Sequence, residues 1–276
     1  MTPFVRASWF GLLLVFALPA WAESVSLAGP GRVRLRAEYL PPKEGSFGAP
    51  AVVLLHGCEG MWQRGRLGER YAHMAGLFQE LGYAVLIPDS FGPRGVREQC
   101  RVPPARQRVS ASRRADDAQW AVAWLRQQPA VDAGRIGTIG WSHGGTAALK
   151  LAGRQTEGLQ VAAAFYPNCT PLLRQLRRFQ ARVPSLILMG ESDDWSLIAP
   201  CRKLAERDER NQLHLVGYPL TYQDFDVPGS ELRVRRDVPD GQYPGQGVTL
   251  GANPEAAADA YRRLFKWFAR TLDRED

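Results

Sequence analysis

The stretch RIGTIGWSHGG, residues 135–145, decides the fold. Its first seven residues are mostly apolar and predict a buried strand. Ser142 follows directly, between Gly140 and Gly144, and a helical pattern begins at Thr146. A serine in a tight strand-to-helix turn needs small residues two positions before and after it, because strand and helix pass closely there. The stretch therefore predicts a nucleophile elbow at Ser142; a glycine-rich turn with an incidental serine is the alternative.

Strands and helices alternate through the chain on both sides of this turn. Val33–Tyr39 alternates polar and apolar residues and predicts an exposed antiparallel edge strand. Continuous apolar runs, typical of parallel strands covered on both faces, are Ala51–His56, Tyr83–Pro88, Arg135–Trp141, Val161–Tyr166, Ser185–Gly190 and Leu213–Tyr218. Helical patterns are Gly68–Leu81, Ala111–Gln128, Thr146–Gly153, Leu197–Glu209 and Pro254–Leu272. The pattern predicts a doubly wound, mostly parallel α/β sheet flanked by helices, in one domain over residues 23–276.

The composition excludes several other classes of protein. With 276 residues, 45% hydrophobic and 23% charged, the chain is neither disordered nor collagen-like nor a coiled coil. The net charge of +7 comes from dispersed arginines, and no basic-aromatic motif accompanies it, so we expect no nucleic-acid partner.

Residues 1–22 predict a secretory signal peptide. Arg6 precedes an apolar run from Trp9 to Leu18, and an Ala-x-Ala sequence ends at Ala22. This run is shorter than the roughly 20 apolar residues of a membrane-spanning helix. We expect cleavage after Ala22 and a periplasmic or secreted protein with no stable membrane insertion; an uncleaved N-terminal anchor is the alternative.

The four cysteines lack the spacing of a metal site, and an oxidising compartment permits disulfides. The predicted sheet places the loops of Cys58 and Cys100 after neighbouring strands, and likewise those of Cys169 and Cys201. These two pairs are favoured. Four free thiols, or one disulfide with two buried cysteines, stay open.

In open α/β sheets the site lies beyond the carboxyl ends of the strands. One predicted strand ends in HGCEG, residues 56–60, where the N–H of Cys58 is a candidate oxyanion donor together with the N–H of His143. We expect the His56 side chain to organise this loop and the His143 side chain to point away from the reacting centre. Another strand is followed by Asp193, the preferred triad acid, and by Asp194, its competitor; both could instead cap the next helix.

A catalytic triad consists of a serine, an acid and a histidine, and the histidine is missing here. After the last predicted strand the chain has Gln223 where a histidine is needed, and no histidine follows His214. His214 lies mid-strand and is expected to be buried and hydrogen-bonded. An amide has no basic lone pair near neutral pH, so Gln223 cannot take the serine proton. Loss of the base from a triad costs on the order of 10⁶ in turnover.

On these motifs the chain resembles the dienelactone hydrolase family of the α/β-hydrolase superfamily, in particular exported members with a serine nucleophile. The resemblance covers residues 33–272 and rests on LLHGCEG (54–60), GYAVLIPDSFGPRG (82–95), RIGTIGWSHGG (135–145), FYPNC (165–169), GESDDW (190–195) and YPLTYQDFD (218–226). It implies the α/β-hydrolase fold and hydrolysis of an ester, lactone or related carbonyl substrate through an acyl-enzyme, without metal or organic cofactor. It also implies Ser142 as nucleophile and Asp193 as acid. Family members usually have Tyr-His-x-Phe where this chain has Tyr222-Gln223-Asp224-Phe225.

Three interpretations of Gln223 stay open. Another group acts as base, the protein is a ligand-binding relative, or the sequence is an engineered or variant form. We favour an enzyme, because binding alone gives no reason to keep a strained serine turn.

The loop after Tyr83–Pro88 suggests a substrate class. It holds Arg94, Arg97, Arg101, Arg106, Arg108, Arg113 and Arg114, with Glu98 as the only acid among them. Clustered guanidinium groups favour an anionic small molecule, such as a carboxylate-bearing ester or lactone. A surface clasp paired with acids elsewhere is the alternative.

Overall fold

The computed structural model describes residues 22–29, 33–43, 47–174 and 179–273. The predicted signal peptide therefore lies outside the described residues, apart from Ala22. The strands are β1 Glu23–Ala28, β2 Arg34–Leu40, β3 Ala49–Leu55, β4 Trp62–Gln63, β5 Arg66–Leu67, β6 Ala84–Pro88, β7 Val131–Trp141, β8 Leu159–Phe165, β9 Ser185–Gly190, β10 Leu213–Tyr218, β11 Arg233–Arg235 and β12 Val248–Leu250. The helices are α1 Glu69–Glu80, α2 Ala111–Leu125, α3 His143–Ala152, α4 Thr170–Arg174, α5 Ile198–Glu206 and α6 Pro254–Leu272.

Eight strands form one sheet, in the order β1-β2-β6-β3-β7-β8-β9-β10. The six strands from β6 to β10 in this order run parallel, and β2 is antiparallel to both β1 and β6. Two short hairpins, β4–β5 and β11–β12, lie outside the sheet. The predicted doubly wound, mostly parallel sheet is confirmed.

Helices cover both faces of this sheet. The side chains of its central strand, β3, alternate between the two apolar cores that lie beneath these helices. Val52 and Leu54 of β3 belong to the core that α1 and α6 cover, whereas Val53 and Leu55 belong to the core that α2 and α3 cover. The carboxyl ends of the parallel strands therefore lie at one edge, between two layers of helices.

Two predictions need correction: the edge position of the strand Val33–Tyr39 and the burial of His214. The strand predicted over Val33–Tyr39 is antiparallel but internal, because β1, which the sequence did not reveal, pairs along its free side. At the other border, β10 is an edge strand, and His214 on it is exposed rather than buried. Its ring lies 4.7 Å from the ring of Trp267 on α6.

Two disulfides join Cys58 to Cys100 and Cys169 to Cys201. This is the pairing that the predicted strand order favours. Among the helices that the structure describes, none has the length and apolar character needed to cross a bilayer.

Candidate active site

Ser142 lies in the turn between β7 and α3, in a backbone conformation rare for a residue with a side chain. Its φ is 50° and its ψ is −115°. Two glycines allow the turn: a Cβ on Gly140 would lie 2.1 Å from the carbonyl oxygen of Gly144, and a Cβ on Gly144 would lie 2.2 Å from the carbonyl oxygen of Leu55. Helix α3 begins directly at His143, three residues earlier than predicted. The turn thus holds the hydroxyl at the end of β7 by backbone geometry.

Two candidate oxyanion donors lie on adjacent elements. The N–H of His143 is the first of α3 and has no carbonyl of its own helix to bond to. The N–H of Cys58 has no acceptor among the described residues, whereas its neighbour Gly57 donates to the Tyr71 hydroxyl at 2.7 Å. The carbonyl of Cys58 accepts from Gln99 at 2.8 Å. These contacts hold the loop and leave an unused donor at Cys58.

Gln223 lies at the nucleophile. Its Nε2 is 3.3 Å from the Oγ of Ser142, while its Oε1 is buried with no partner among the described residues. Exchanging the amide oxygen and nitrogen would let Oε1 accept from the serine hydroxyl. Neither orientation gives a base, because an amide oxygen is not protonated near neutral pH. The loop after β10 therefore delivers a side chain to Ser142 without the chemistry of an imidazole.

The backbone on both sides of Gln223 is fixed by neighbouring segments. A Cβ on Gly190, at the end of β9, would lie 2.1 Å from the carbonyl oxygen of Thr221. Beyond Gln223, its carbonyl accepts from the N–H of Gly251 at 3.2 Å and that of Phe225 accepts from Asn253 at 3.0 Å. The position of the amide therefore follows from backbone packing against β9 and the chain after β12.

The two aspartates after β9 have different roles. Asp193 is buried, and its Oδ1 accepts from the N–H groups of Trp195 at 2.9 Å and Ser196 at 2.8 Å. Its Oδ2 has no partner among the described residues. Burial raises the pKa of the Asp193 carboxyl well above its usual range, although the two N–H bonds oppose this shift. Asp194 instead binds the N–H and hydroxyl of Thr249, each at 2.7 Å, and so anchors β12.

A buried polar network connects Ser142's neighbours to the loop of Gln223. Asp226 accepts from the indole N–H of Trp141 at 2.7 Å and from the hydroxyl of Tyr166 at 2.6 Å. The buried Arg70 donates to Asp224 at 2.7 Å. Tyr71 donates to Glu59 in the oxyanion loop. Arg70 also lies 3.8 Å from carboxylate oxygens of Glu59 and Asp226, so the residues next to Ser142, Cys58 and Gln223 form one network.

Sequence reasoning missed Arg70, although its spacing carried a signal. Arg70 recurs at helical spacing with Met74 and Phe78, so a charge lies in the apolar stripe of α1. A buried charge in such a stripe needs acidic partners, which here come from a loop 154 residues away. No local pattern predicts that partner.

Two cavities open at Ser142, and both are bordered by the Cys58–Cys100 disulfide and Trp195. The first, here called the His143 cavity, has about 300 Å³ and is also bordered by Gln107, Ser110, His143, Lys150 and Asn168. The second, here called the Gln223 cavity, has about 470 Å³ and is also bordered by Glu59, Arg70, Gln223, Asp224, Arg233 and Arg235. The nucleophile therefore lies where the two volumes adjoin. His143 borders the first of them, and its ring contacts Arg114 on α2.

Three of the seven arginines in the predicted cluster are paired with acids or buried, and the other four are exposed. Arg94 forms two bonds to Asp117, at 2.7 and 2.8 Å, and Arg114 is fully buried. Of the seven, Arg101 alone borders the Gln223 cavity among the described residues, and it pairs with Asp237 at 2.6 Å. The surface-clasp alternative thus describes Arg94 better than substrate binding does.

One group of three ligand-type side chains lies close together among the described residues. Ligand atoms of Cys58, Glu59 and Cys100 are within 4.8 Å of one another. Because the two sulfur atoms form a disulfide, neither is a thiolate ligand. The group does not fit a metal ion in this oxidation state.

With this geometry established, comparison with known proteins assigns the family. Residues 36–272 match the sequence model of the Dienelactone hydrolase family. The chain belongs to the dienelactone hydrolase family. The structure has the α/β-hydrolase fold of this family's members. No curated protein matches the chain.

Solved structures share the fold at low sequence identity. The dienelactone hydrolase from Anabaena variabilis is 20% identical with a TM-score of 0.66, covering 92% of this chain and 100% of its own. A dienelactone hydrolase-like promiscuous phosphotriesterase from metagenomic libraries is 20% identical with a TM-score of 0.63, over 91% and 98%. Esterase 2 of Thermogutta terrifontis, phosphoramylated by tabun, is 18% identical with a TM-score of 0.63, over 94% and 98%. These likenesses extend over nearly the whole dienelactone hydrolase domain.

Proposed function

We propose that this dienelactone hydrolase family member is a serine hydrolase that attacks ester or lactone carbonyls with Ser142 and forms an acyl-enzyme. The observation that carries the proposal is the strained turn, which holds Ser142 at φ 50° beside two unused N–H donors. Strain of this kind persists only where the surrounding structure enforces it, and it clusters at active sites.

The chemical step needs no group beyond the site and water. Ser142 Oγ bonds to the carbonyl carbon, the bond from that carbon to the leaving oxygen breaks, and the serine proton passes through water to that oxygen, which leaves as an alcohol. A second water then adds to the acyl carbon, the bond to Ser142 Oγ breaks, and the acid leaves as the proton returns to Ser142. Gln223 cannot take this proton. The oxyanion donors and substrate binding alone still give roughly 10³–10⁴ over the uncatalysed rate. The proposed activity is therefore slow.

A preference for anionic esters is a finer proposal. Arg101, Arg233 and Arg235 border the Gln223 cavity, which supports weak attraction for a carboxylate. Asp237 opposes it, since it pairs with both Arg101 and Arg235. The expected preference is small.

Export of the mature protein is a further proposal. Two disulfides support it, because such bonds persist in oxidising compartments. N-terminal sequencing of the protein recovered from culture medium or periplasm tests it. The expected first residue is Glu23, and recovery of the whole chain from the cytoplasm would contradict it.

A ligand-binding protein on a hydrolase scaffold is the second candidate, and Gln223 is the observation that favours it. Hydrolysis of p-nitrophenyl acetate by the unaltered protein and by Ser142→Ala separates the two. A hydrolase releases p-nitrophenolate in a Ser142-dependent manner and carries an acetyl group on Ser142, which mass spectrometry detects. Identical rates in both proteins, with no adduct, would favour the binding protein.

A further inference from the structure

The imidazole next to the nucleophile is held by a buried guanidinium. Arg114 on α2 is fully buried, and its Nη1 lies 2.9 Å from His143 Nδ1. Its Nη2 donates to the carbonyl oxygen of His56 in the oxyanion loop. A guanidinium can only donate, so Nδ1 of His143 accepts with its lone pair. A neutral imidazole has one such lone pair, so its proton is on Nε2.

His143 is therefore not the missing base. Burial and the neighbouring Arg114 lower the pKa of His143 to about 3, so the ring is neutral near neutral pH. Burial lowers the pKa of Arg114 to about 10, and the guanidinium stays charged there. The single lone pair of the ring is used by Arg114 and cannot receive the proton of Ser142.

Gln99 places a second donor against the same ring. Its Nε2 donates to the Val109 carbonyl at 2.7 Å, and its Oε1 accepts from the Val109 N–H at 3.4 Å, which fixes the amide orientation. The same Nε2 lies 3.5 Å from His143 Nε2. Two N–H donors thus meet, and no oxygen of the described residues accepts from His143 Nε2. An acceptor oxygen from water or a ligand would satisfy His143.

The two cavities indicate which part of an ester this donor would meet. In a serine hydrolase the third triad position donates its proton to the leaving group, so the leaving group lies on that side of the nucleophile. Gln223 borders the Gln223 cavity and is absent from the border of the His143 cavity. The acyl group of a substrate would then occupy the His143 cavity.

We propose that Arg114 fixes His143 as its Nε2–H tautomer, and that His143 is a specificity-determining residue that donates this hydrogen to an acceptor oxygen in the acyl group of an ester bound at Ser142. The acyl assignment rests on the proposed hydrolase function. The tautomer rests only on the contacts of Arg114 and Gln99.

Nitrogen NMR of the protein labelled with ¹⁵N-histidine tests the tautomer without any substrate. Two-bond ¹H–¹⁵N correlations at neutral pH are expected to show a protonated Nε2 for His143, assigned by its loss in His143→Gln. His56 is the internal contrast, because its Nδ1 lies 2.8 Å from the Gly57 carbonyl and must donate. A protonated Nδ1 on His143, or an imidazolium, would overturn the proposal. Arg114→Met is expected to give a mixture of tautomers, and an unchanged tautomer there would remove Arg114 from the proposal; the unaltered protein decides the tautomer even if this variant does not fold.

Two isosteric esters test the donor. The acyl groups of p-nitrophenyl methoxyacetate and p-nitrophenyl butyrate differ by an oxygen in place of a methylene. We measure the rate ratio of Ser142 acylation by p-nitrophenolate release and protein mass, corrected for the rates with hydroxide. His143→Leu is expected to lower this ratio about fivefold, the effect of one hydrogen bond, whereas His143→Gln, which keeps a side-chain N–H, retains most of it. An unchanged ratio in His143→Leu would overturn the specificity role. Absence of Ser142 acylation in every protein would overturn the hydrolase function and the acyl assignment with it, while the NMR result would still decide the tautomer.

Discussion

The turn after β7 and the loop after β10 meet at Ser142 and differ in what they retain. The turn has the glycines, the strained serine and the helix N-terminus that nucleophilic attack needs. The loop brings Gln223 within 3.3 Å of the serine oxygen but supplies an amide. Its backbone accepts hydrogen bonds from Gly251 and Asn253, and its Asp226 is bonded to Trp141 and Tyr166. The position of the loop and the reactivity of Ser142 therefore depend on different residues. Changing the one side chain at residue 223 can remove the reactivity without moving the loop.

The largest expected effect comes from restoring a base to the loop. Gln223→His places an imidazole where the amide contacts Ser142, and general base catalysis contributes about 10²–10⁴. Turnover of p-nitrophenyl acetate is expected to rise at least 100-fold. Adding Ser142→Ala should abolish the gain, and adding Asp193→Asn should remove most of it. Equal turnover of Gln223→His and the unaltered protein would show that the loop is not positioned for a triad.

The disulfides separate stability from site geometry. The Cys58–Cys100 bond closes 42 residues and the Cys169–Cys201 bond closes 32, so replacing either pair by serines is expected to cost about 4 kcal/mol in unfolding free energy, measured with urea. Cys58 carries a candidate oxyanion N–H. Replacing Cys58 and Cys100 should therefore also slow labelling of Ser142 by a fluorophosphonate, whereas replacing Cys169 and Cys201 should not. Equal slowing in both double variants would contradict the placement of Cys58.

The packing of the turn can be broken without touching its chemistry. Gly144→Ala puts a methyl group against the carbonyl of Leu55 and is expected to lower the unfolding free energy by about 3 kcal/mol. Gly76→Ala is the matched control, because nothing lies within 4 Å of the added Cβ and the residue is in α1. It should stabilise the protein by about 0.5–1 kcal/mol. Equal urea midpoints for the two variants would refute the close approach of α3 to the end of β3.

The pH dependence of stability reports on Asp193. Because burial raises its pKa, the folded protein holds this proton more tightly than the unfolded chain. The stabilisation from Asp193 is full below the unfolded pKa of about 3.9 and is lost as pH rises toward the folded value. Asp193→Asn mimics the protonated acid, so it should match the unaltered protein near about pH 4 and exceed it in stability at higher pH. The melting temperatures of the two proteins are compared across this pH range. If that of the unaltered protein rose relative to that of Asp193→Asn with increasing pH, the carboxylate would have a cationic partner.

The smallest effect concerns substrate charge. At low salt we expect about threefold faster acylation by (4-acetoxyphenyl)acetate than by (4-acetoxyphenyl)acetamide, because the carboxylate is in the leaving group and Arg233 and Arg235 border the Gln223 cavity. High salt should abolish the difference by screening. Arg233→Gln should reduce it. A preference that ignores salt would have a cause other than these arginines.

Local features of the sequence predicted much of this fold. The inner strands, helix α6 over Pro254–Leu272 and the turn at Ser142 depend on short-range patterns of apolar residues, glycine and proline. The disulfide pairing followed from the order of neighbouring strands.

The remaining features depend on contacts between distant segments. β11 and β12 have three residues each, and the pairing of β1, β11 and β12 with their partners decides whether these strands form. His214 is exposed on the edge strand β10, where its only described ring contact is Trp267 on α6. The fixed ring of His143 depends on Arg114, which lies 29 residues earlier, on the neighbouring helix α2. Side-chain direction at such positions cannot be read from local pattern.

Mapping the residue labelled by a fluorophosphonate, with labelling rates for the unaltered protein and Gln223→His, tests the central claim most directly. The account predicts that both proteins are labelled at Ser142 alone, slowly in the unaltered protein and at least 100-fold faster in Gln223→His. Labelling at another residue, or none at Ser142 in either protein, would contradict it.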